Sequence, residues 1–76
     1  MANKISVLLA DANEEYRALL QKRLDNTETF RVVGSIGDGV EALQLIRREI
    51  PQLVVVDVVL PGLDGMSLLH RLSEMD

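Results

Sequence analysis

Three short aliphatic runs punctuate this chain, and each gives way to a stretch whose apolar residues return every third or fourth position. The first run, Ile5-Ser6-Val7-Leu8-Leu9-Ala10, predicts a buried strand that ends at Asp11. Asn13 then offers a side-chain cap to a helix with Glu14 and Glu15 in its first turn, where the helix dipole favours negative charge. Tyr16, Leu19, Leu20 and Leu24 fall at helical spacing, with Arg17, Lys22 and Arg23 assigned to the opposite side, and the helix fades at Asp25-Asn26. The second run, Phe30 to Ile36, is more mixed, which suits a strand at a sheet edge. Gly37-Asp38-Gly39 makes a turn in which Asp38 caps the next helix. Val40, Leu43, Ile46 and Ile50 form that helix's expected apolar stripe with Ala42 beside it, while Glu41, Gln44, Arg47 and Arg48 face water. Pro51 stops it.

The third run is the most informative. Leu53-Val54-Val55-Val56-Asp57-Val58-Val59-Leu60 is aliphatic except for one carboxylate, and it breaks at Pro61-Gly62 and Asp64-Gly65. Such a run predicts a strand from Leu53 to about Asp57, central in its sheet and covered on both faces. A carboxylate left inside it would cost on the order of several kcal/mol, so Asp57 belongs where the strand emerges. Asp64 caps a last helix whose inward positions are expected to be Met66, Leu69, Leu72 and Met75. The order is βαβαβα with short connections, which specifies a parallel sheet with right-handed crossovers between helical layers.

Composition narrows the class. Seventy-six residues make one small domain at most, with a marginal core if it stands alone. The 47% hydrophobic content is ordinary for a globular chain. The absence of cysteine removes disulfides and thiolate metal sites. No apolar segment approaches the roughly 18 residues needed to cross a bilayer, and the N-terminus lacks a signal-peptide pattern. A cytoplasmic protein without membrane contact is expected. A net charge of −4 argues against direct nucleic-acid binding by this segment, since phosphate neutralisation requires a basic face.

Candidate chemistry starts from two strands that end in carboxylates, Asp11 and Asp57. With strand order 2-1-3, the first and third strands are neighbours whose connections leave on opposite faces, and a crevice opens at that switch point. Either carboxylate alone reads as a solvated loop cap. Together they form a cluster of hard oxygens suited to Mg²⁺, beside which a carboxylate can act as a nucleophile towards a phosphate donor.

Three segments give the chain a specific resemblance: Leu8-Leu9-Ala10-Asp11-Ala12-Asn13, Gly37-Asp38-Gly39-Val40-Glu41-Ala42-Leu43, and Asp57-Val58-Val59-Leu60-Pro61-Gly62-Leu63-Asp64-Gly65. It resembles the N-terminal three βα units of a response-regulator receiver domain of bacterial two-component signalling. Within that family its wording is most like the sporulation-type regulators. The resemblance implies a flavodoxin-like (CheY-like) α/β fold, with residues 1–76 as the N-terminal portion of a single receiver truncated after its third βα unit. It further implies that Asp57 accepts a phosphoryl group from a histidine kinase or phosphotransfer protein to control an output such as transcription. Asp11, Asp57 and the backbone carbonyl of Val59 would be the Mg²⁺ ligands. On this reading the module is not itself an enzyme.

Two departures from the family pattern bear on that expectation. Ala12 stands where a second acidic residue, the direct Mg²⁺ ligand, is usual, so Mg²⁺ binding should be weak or lost. The Ser/Thr and Lys that follow the fourth and fifth strands of a receiver do not occur in this sequence. A pseudo-receiver, acting as a phosphorylation-independent interaction or dimerisation module, is the alternative that Ala12 supports. A flavin- or nucleotide-binding domain fits the strand order, but Asp11-Ala12-Asn13-Glu14 would repel phosphate, and Gly34 to Gly39 lacks the Lys of a P-loop. His70 reads as an exposed helix residue and Arg47-Arg48 as a solvated face. An apolar third strand without a fourth beside it implies self-association through that strand, giving a dimer.

Overall fold

The computed structural model describes residues 3–74. Six elements alternate as expected: β1 (Ile5–Ala10), α1 (Glu14–Asp25), β2 (Phe30–Ile36), α2 (Gly39–Glu49), β3 (Leu53–Val56) and α3 (Gly65–Ser73). The sheet is parallel in the order β2-β1-β3. Val7 pairs with Val32 and Leu53, and Ala10 with Ile36 and Val56, so the carboxyl ends of all three strands lie side by side. A register shift after Val7 skips Val33 on β2. Among the described residues this is a CheY-like arrangement of three strands and three helices.

β1 is the central strand, and Val7, Leu8, Leu9 and Ala10 are all buried. On one face Leu8 and Ala10 meet Ala42, Leu43 and Ile46 of α2, Leu68 of α3 and Leu60 of the β3–α3 loop, with Val54 and Val56 packed against them. At roughly 1.5–3 kcal/mol for each large apolar side chain fully buried, this cluster carries most of the domain's cohesion. α1 covers the opposite face.

The helix caps follow the sequence. Asn13 Oδ1 accepts from the Tyr16 N–H at 3.0 Å. Asp38 Oδ1 accepts from Val40 and Glu41, and Asp64 Oδ1 from Ser67. Each carboxylate or amide satisfies donors that a helix's first turn leaves unpaired.

Several expected faces are rotated or bare. β3 is not covered on both sides: Val54 and Val56 pack on the core, while Leu53 and Val55 on the opposite face remain 42% and 38% exposed. It also ends at Val56, one residue short of the expected boundary. On α1 the half-buried positions are Arg17, Leu20, Gln21 and Leu24, while Tyr16 and Leu19 are exposed, so Arg17 lies on the inward side after all. On α3 the buried residues are Gly65 and Leu68, with Leu72 packed beside the core, while Met66 and Leu69 face out. The expectation for Met75 lies outside the described residues. On α2, Val40 is exposed at the first turn, and Ile50 is the C-cap, left-handed at φ 47 and 78% exposed. A β-branched residue in that conformation is strained, and Pro51 directly after it disfavours the right-handed alternative.

Candidate acidic site at the carboxyl ends of β1 and β3

The two carboxylates singled out by the sequence meet at one cleft. Asp57 follows β3, and its N–H donates to the Ala10 carbonyl at 2.8 Å, continuing the ladder by one residue and bringing Asp57 alongside the end of β1. Asp11 follows β1, and its N–H donates to the Ile36 carbonyl at 3.1 Å. Both border a cleft of about 420 Å³ between α1 and the strand ends, walled by Leu9, Tyr16, Leu20 and Val55 and rimmed by Asn13 and Arg17. This is the position at which open parallel sheets hold ligands.

Each carboxylate is oriented by a short local turn. Asp11 Oδ1 accepts from the Asn13 N–H at 2.8 Å, and Asp57 Oδ1 accepts from the Val59 N–H at 3.2 Å. One oxygen of each is thereby engaged and the other is left for chemistry. Both residues are half-buried, so they are desolvated only in part.

The loop that carries Asp57 is fastened at four points. Leu60 drops into the core beneath it. The Gly65 N–H donates to the Val58 carbonyl at 2.8 Å, and Gly65 lies so close to the Asp57 carbonyl that a Cβ there would overlap it. The Gly39 N–H donates to the Pro61 carbonyl at 2.9 Å, and a Cβ on Gly39 would collide with the Leu63 backbone. At Gly62, with φ 81, a Cβ would fall against the Asp38 carboxylate. The turn Gly37-Asp38-Gly39 and the loop Pro61-Gly62-Leu63 therefore interlock, and Asp57 and Val59 inherit their positions from that contact. The sequence marked these glycines as turn residues, but their mutual contact was not legible from spacing.

Around α3 the electrostatics are local. The Ser67 backbone N–H, helped by the Ser67 hydroxyl and the Met66 N–H, holds the Asp64 carboxyl below its ordinary value of 3.8, and slight desolvation opposes the effect. His70 is exposed, with Nε2 3.9 Å from a Glu74 carboxylate oxygen.

The side-chain oxygens that this cleft offers a divalent metal are those of Asp11 and Asp57, while Val59, expected as a third ligand, is 76% exposed and does not line the cleft. Among the described residues no three acidic, His or Cys side chains converge. Ala12, exposed beside Asp11, contributes no oxygen. Two carboxylates with water completing the shell is a donor set that Mg²⁺ accepts, at lower affinity than one with a third carboxylate.

A parallel sheet in this order, with paired carboxylates at the β1/β3 switch point and a Pro-Gly loop closing over the second, defines a class of signalling modules. The model of the response regulator receiver domain matches residues 7–76, and the chain belongs to that family. A curated relative, protein-glutamate methylesterase/protein-glutamine glutaminase 1 of Methanospirillum hungatei JF-1, is 39% identical over 72 residues, which are 95% of this chain and 21% of that protein. Among solved structures, the signal receiver domain of NarL from Mycobacterium tuberculosis superposes with a TM-score of 0.92 at 27% identity, covering 96% of this chain and 59% of that one. The response regulator domain of Thermotoga maritima CheB gives a TM-score of 0.90 at 28% identity, covering 95% and 54%. The chain thus spans about a fifth of the curated relative's length and little more than half of the solved receivers.

These likenesses correct two expectations. The sporulation-type subtype is not supported, because the curated relative is a methylesterase and one solved neighbour is CheB. The non-enzymatic reading is also overturned, since the relative is itself named as an enzyme; the shared stretch is the receiver segment. Among the described residues no helix is long and apolar enough to cross a membrane.

Proposed function

We propose that this chain is the phosphoacceptor portion of a two-component phosphorelay and that Asp57 is the acceptor. One observation carries the reading: Asp57 is held at the carboxyl end of β3, beside Asp11, by a loop whose every fastening serves to fix it. A carboxylate oxygen of Asp57 attacks the phosphorus of a phosphohistidine on a histidine kinase or phosphotransfer protein. The P–N bond breaks as the P–O bond forms, and the departing imidazole takes up a proton. Asp11 and Asp57 would hold Mg²⁺, which supplies charge neutralisation for the incoming phosphoryl group. Ala12 makes that metal weakly bound.

Residues 1–76 then form the N-terminal portion of one receiver domain. The methylesterase likeness favours an enzymatic output over the transcriptional one expected from the sequence. Self-association through β3 accompanies this reading, because Leu53 and Val55 are left exposed on the strand's uncovered face. Incubation with radiolabelled acetyl phosphate or a phosphorylated kinase tests the acceptor. Label on the wild-type chain should vanish in Asp57→Asn; label that persists there removes Asp57 from the mechanism. A folded wild-type chain that takes no label at all would favour the pseudo-receiver, which Ala12 supports.

A further inference from the structure

Arg17 was expected on the solvent side of α1, yet its guanidinium reaches across the strand ends. Its Nη1 donates to the Asp11 carbonyl at 2.5 Å and its Nε donates to Ser35 Oγ at 3.0 Å. Gly37 leaves room for this group: a Cβ there would sit 2.7 Å from Arg17 Nη1. The guanidinium therefore links the helix, the residue after β1 and the end of β2. It forms no ion pair with Asp11 or Asp57. Its charge is directed at a backbone carbonyl, and the Asp11 carboxylate is left to accept from Asn13 and to face the cleft.

From this geometry we infer that Arg17 is the positioning residue of the acidic site, acting through Asp11. The peptide units on both sides of the Asp11 Cα are held, the preceding one by Ile36 at the Asp11 N–H and the following one by Arg17 at the Asp11 carbonyl. With both groups fixed, the Asp11 side chain projects from a defined backbone. In a chain with Ala12 beside it, Asp11 is the one carboxylate that the β1–α1 loop offers, and no neighbour compensates for its misplacement. A lysine at position 17 would keep the charge but not the two-pronged contact, because a single ammonium cannot reproduce the planar fork that meets Ser35 and Asp11 together. Ser35 is the hydroxyl partner that sets the angle of that fork.

The inference rests on the receiver reading for its consequence, namely metal binding, but the orientation of Asp11 has its own readout. In nuclear magnetic resonance spectra of the full 76-residue chain, the Asn13 amide reports the Asp11 carboxylate directly, and Asp11→Ala, which removes the accepting oxygen, supplies its unbonded position. Arg17→Ala and Arg17→Gln should move the Asn13 amide most of the way to that position, Arg17→Lys part of the way, and Ser35→Ala by a smaller step in the same direction. Mg²⁺ titration should show Arg17→Ala binding about tenfold more weakly, the usual scale for groups that orient a metal's ligands. The double variant Asp11→Ala/Arg17→Ala should bind no more weakly than Asp11→Ala alone. An Asn13 amide unmoved in folded Arg17 variants, or losses that add fully in the double variant, would overturn the proposal. If Arg17→Ala fails to fold, Ser35→Ala and Arg17→Lys decide by the same signal. A wild-type chain that ignores Mg²⁺ overturns the metal reading, and the Asn13 amide still decides the role of Arg17.

Discussion

Gly39, the first residue of α2, lies directly against the backbone of Leu63, and no side chain fits between them. The contact joins the turn after β2 to the loop that follows the acceptor candidate, and the Gly39 N–H bond to Pro61 closes it. Because the obstacle is backbone, relief requires the whole loop to move. Gly39→Ala should lower stability by about 2–3 kcal/mol, the upper part of the range for overpacking. It should also slow phosphoryl transfer to Asp57 in whatever fraction stays folded. Urea unfolding and acetyl-phosphate labelling of the same sample measure both. An unchanged midpoint would show that the loop yields without cost.

The metal site is tested by restoring what its neighbours lack. Ala12→Asp places a third carboxylate beside Asp11, and Mg²⁺ affinity follows the number and charge of oxygen ligands. Calorimetric titration should show about a tenfold tighter Kd, equivalent to about 1.4 kcal/mol. Equal affinities would mean that position 12 does not face the ion.

Most of the fold was legible because it rests on local signals. The periodicities of residues 5–10, 30–36 and 53–56 and the caps at Asn13, Asp38 and Asp64 each state their element without reference to the rest of the chain. Helix orientation was less legible. On α1 the set Tyr16, Leu19, Leu20 and Leu24 is more apolar, yet Arg17, Leu20, Gln21 and Leu24 turn inward, since hydrogen-bond partners at Asp11 and Ser35 outweigh hydropathy for Arg17. The spacing 17, 20, 21, 24 carries that alternative face and was available to be read. The pairing of Asp11 with Asp57 followed from strand order, but the interlock of Gly39 with Leu63 joins residues 24 positions apart by shape alone, which no periodicity encodes.

Acid should loosen α3 first. The Asp64 carboxyl titrates below 3.8 in the folded chain because Ser67 donates to its charged form. The unfolded chain therefore binds its proton at higher pH than the folded chain does. The cap's contribution is complete above the unfolded value and is lost as pH falls through the folded one. Asp64→Asn keeps a capping oxygen but cannot titrate. Its stability at neutral pH should stay close to wild type, while the fall in stability between pH 5 and pH 2 should be shallower. Urea midpoints across that range check the slope, and identical profiles would remove Asp64 from the acid response.

The exposed face of β3 makes the last prediction. Leu53 and Val55 are about two-fifths exposed on the same side of the strand, and Tyr16 and Leu19 of α1 are exposed as well. Covering the two β3 side chains would yield on the order of 1 kcal/mol each, and pairing of the outer strand edge adds direction. A second copy can supply the edge pairing, with two β3 strands running antiparallel across a two-fold axis to form a six-stranded sheet in which the two exposed apolar faces lie side by side. Sedimentation equilibrium of the 76-residue chain at micromolar concentration should therefore give about twice the 8.4 kDa monomer mass. Val55→Lys, which places a charge on the exposed face without touching the core side of the strand, should shift the population towards monomer. A single 8.4 kDa species that unfolds cooperatively, in wild type and variant alike, would show that the face of β3 does not recruit its own kind.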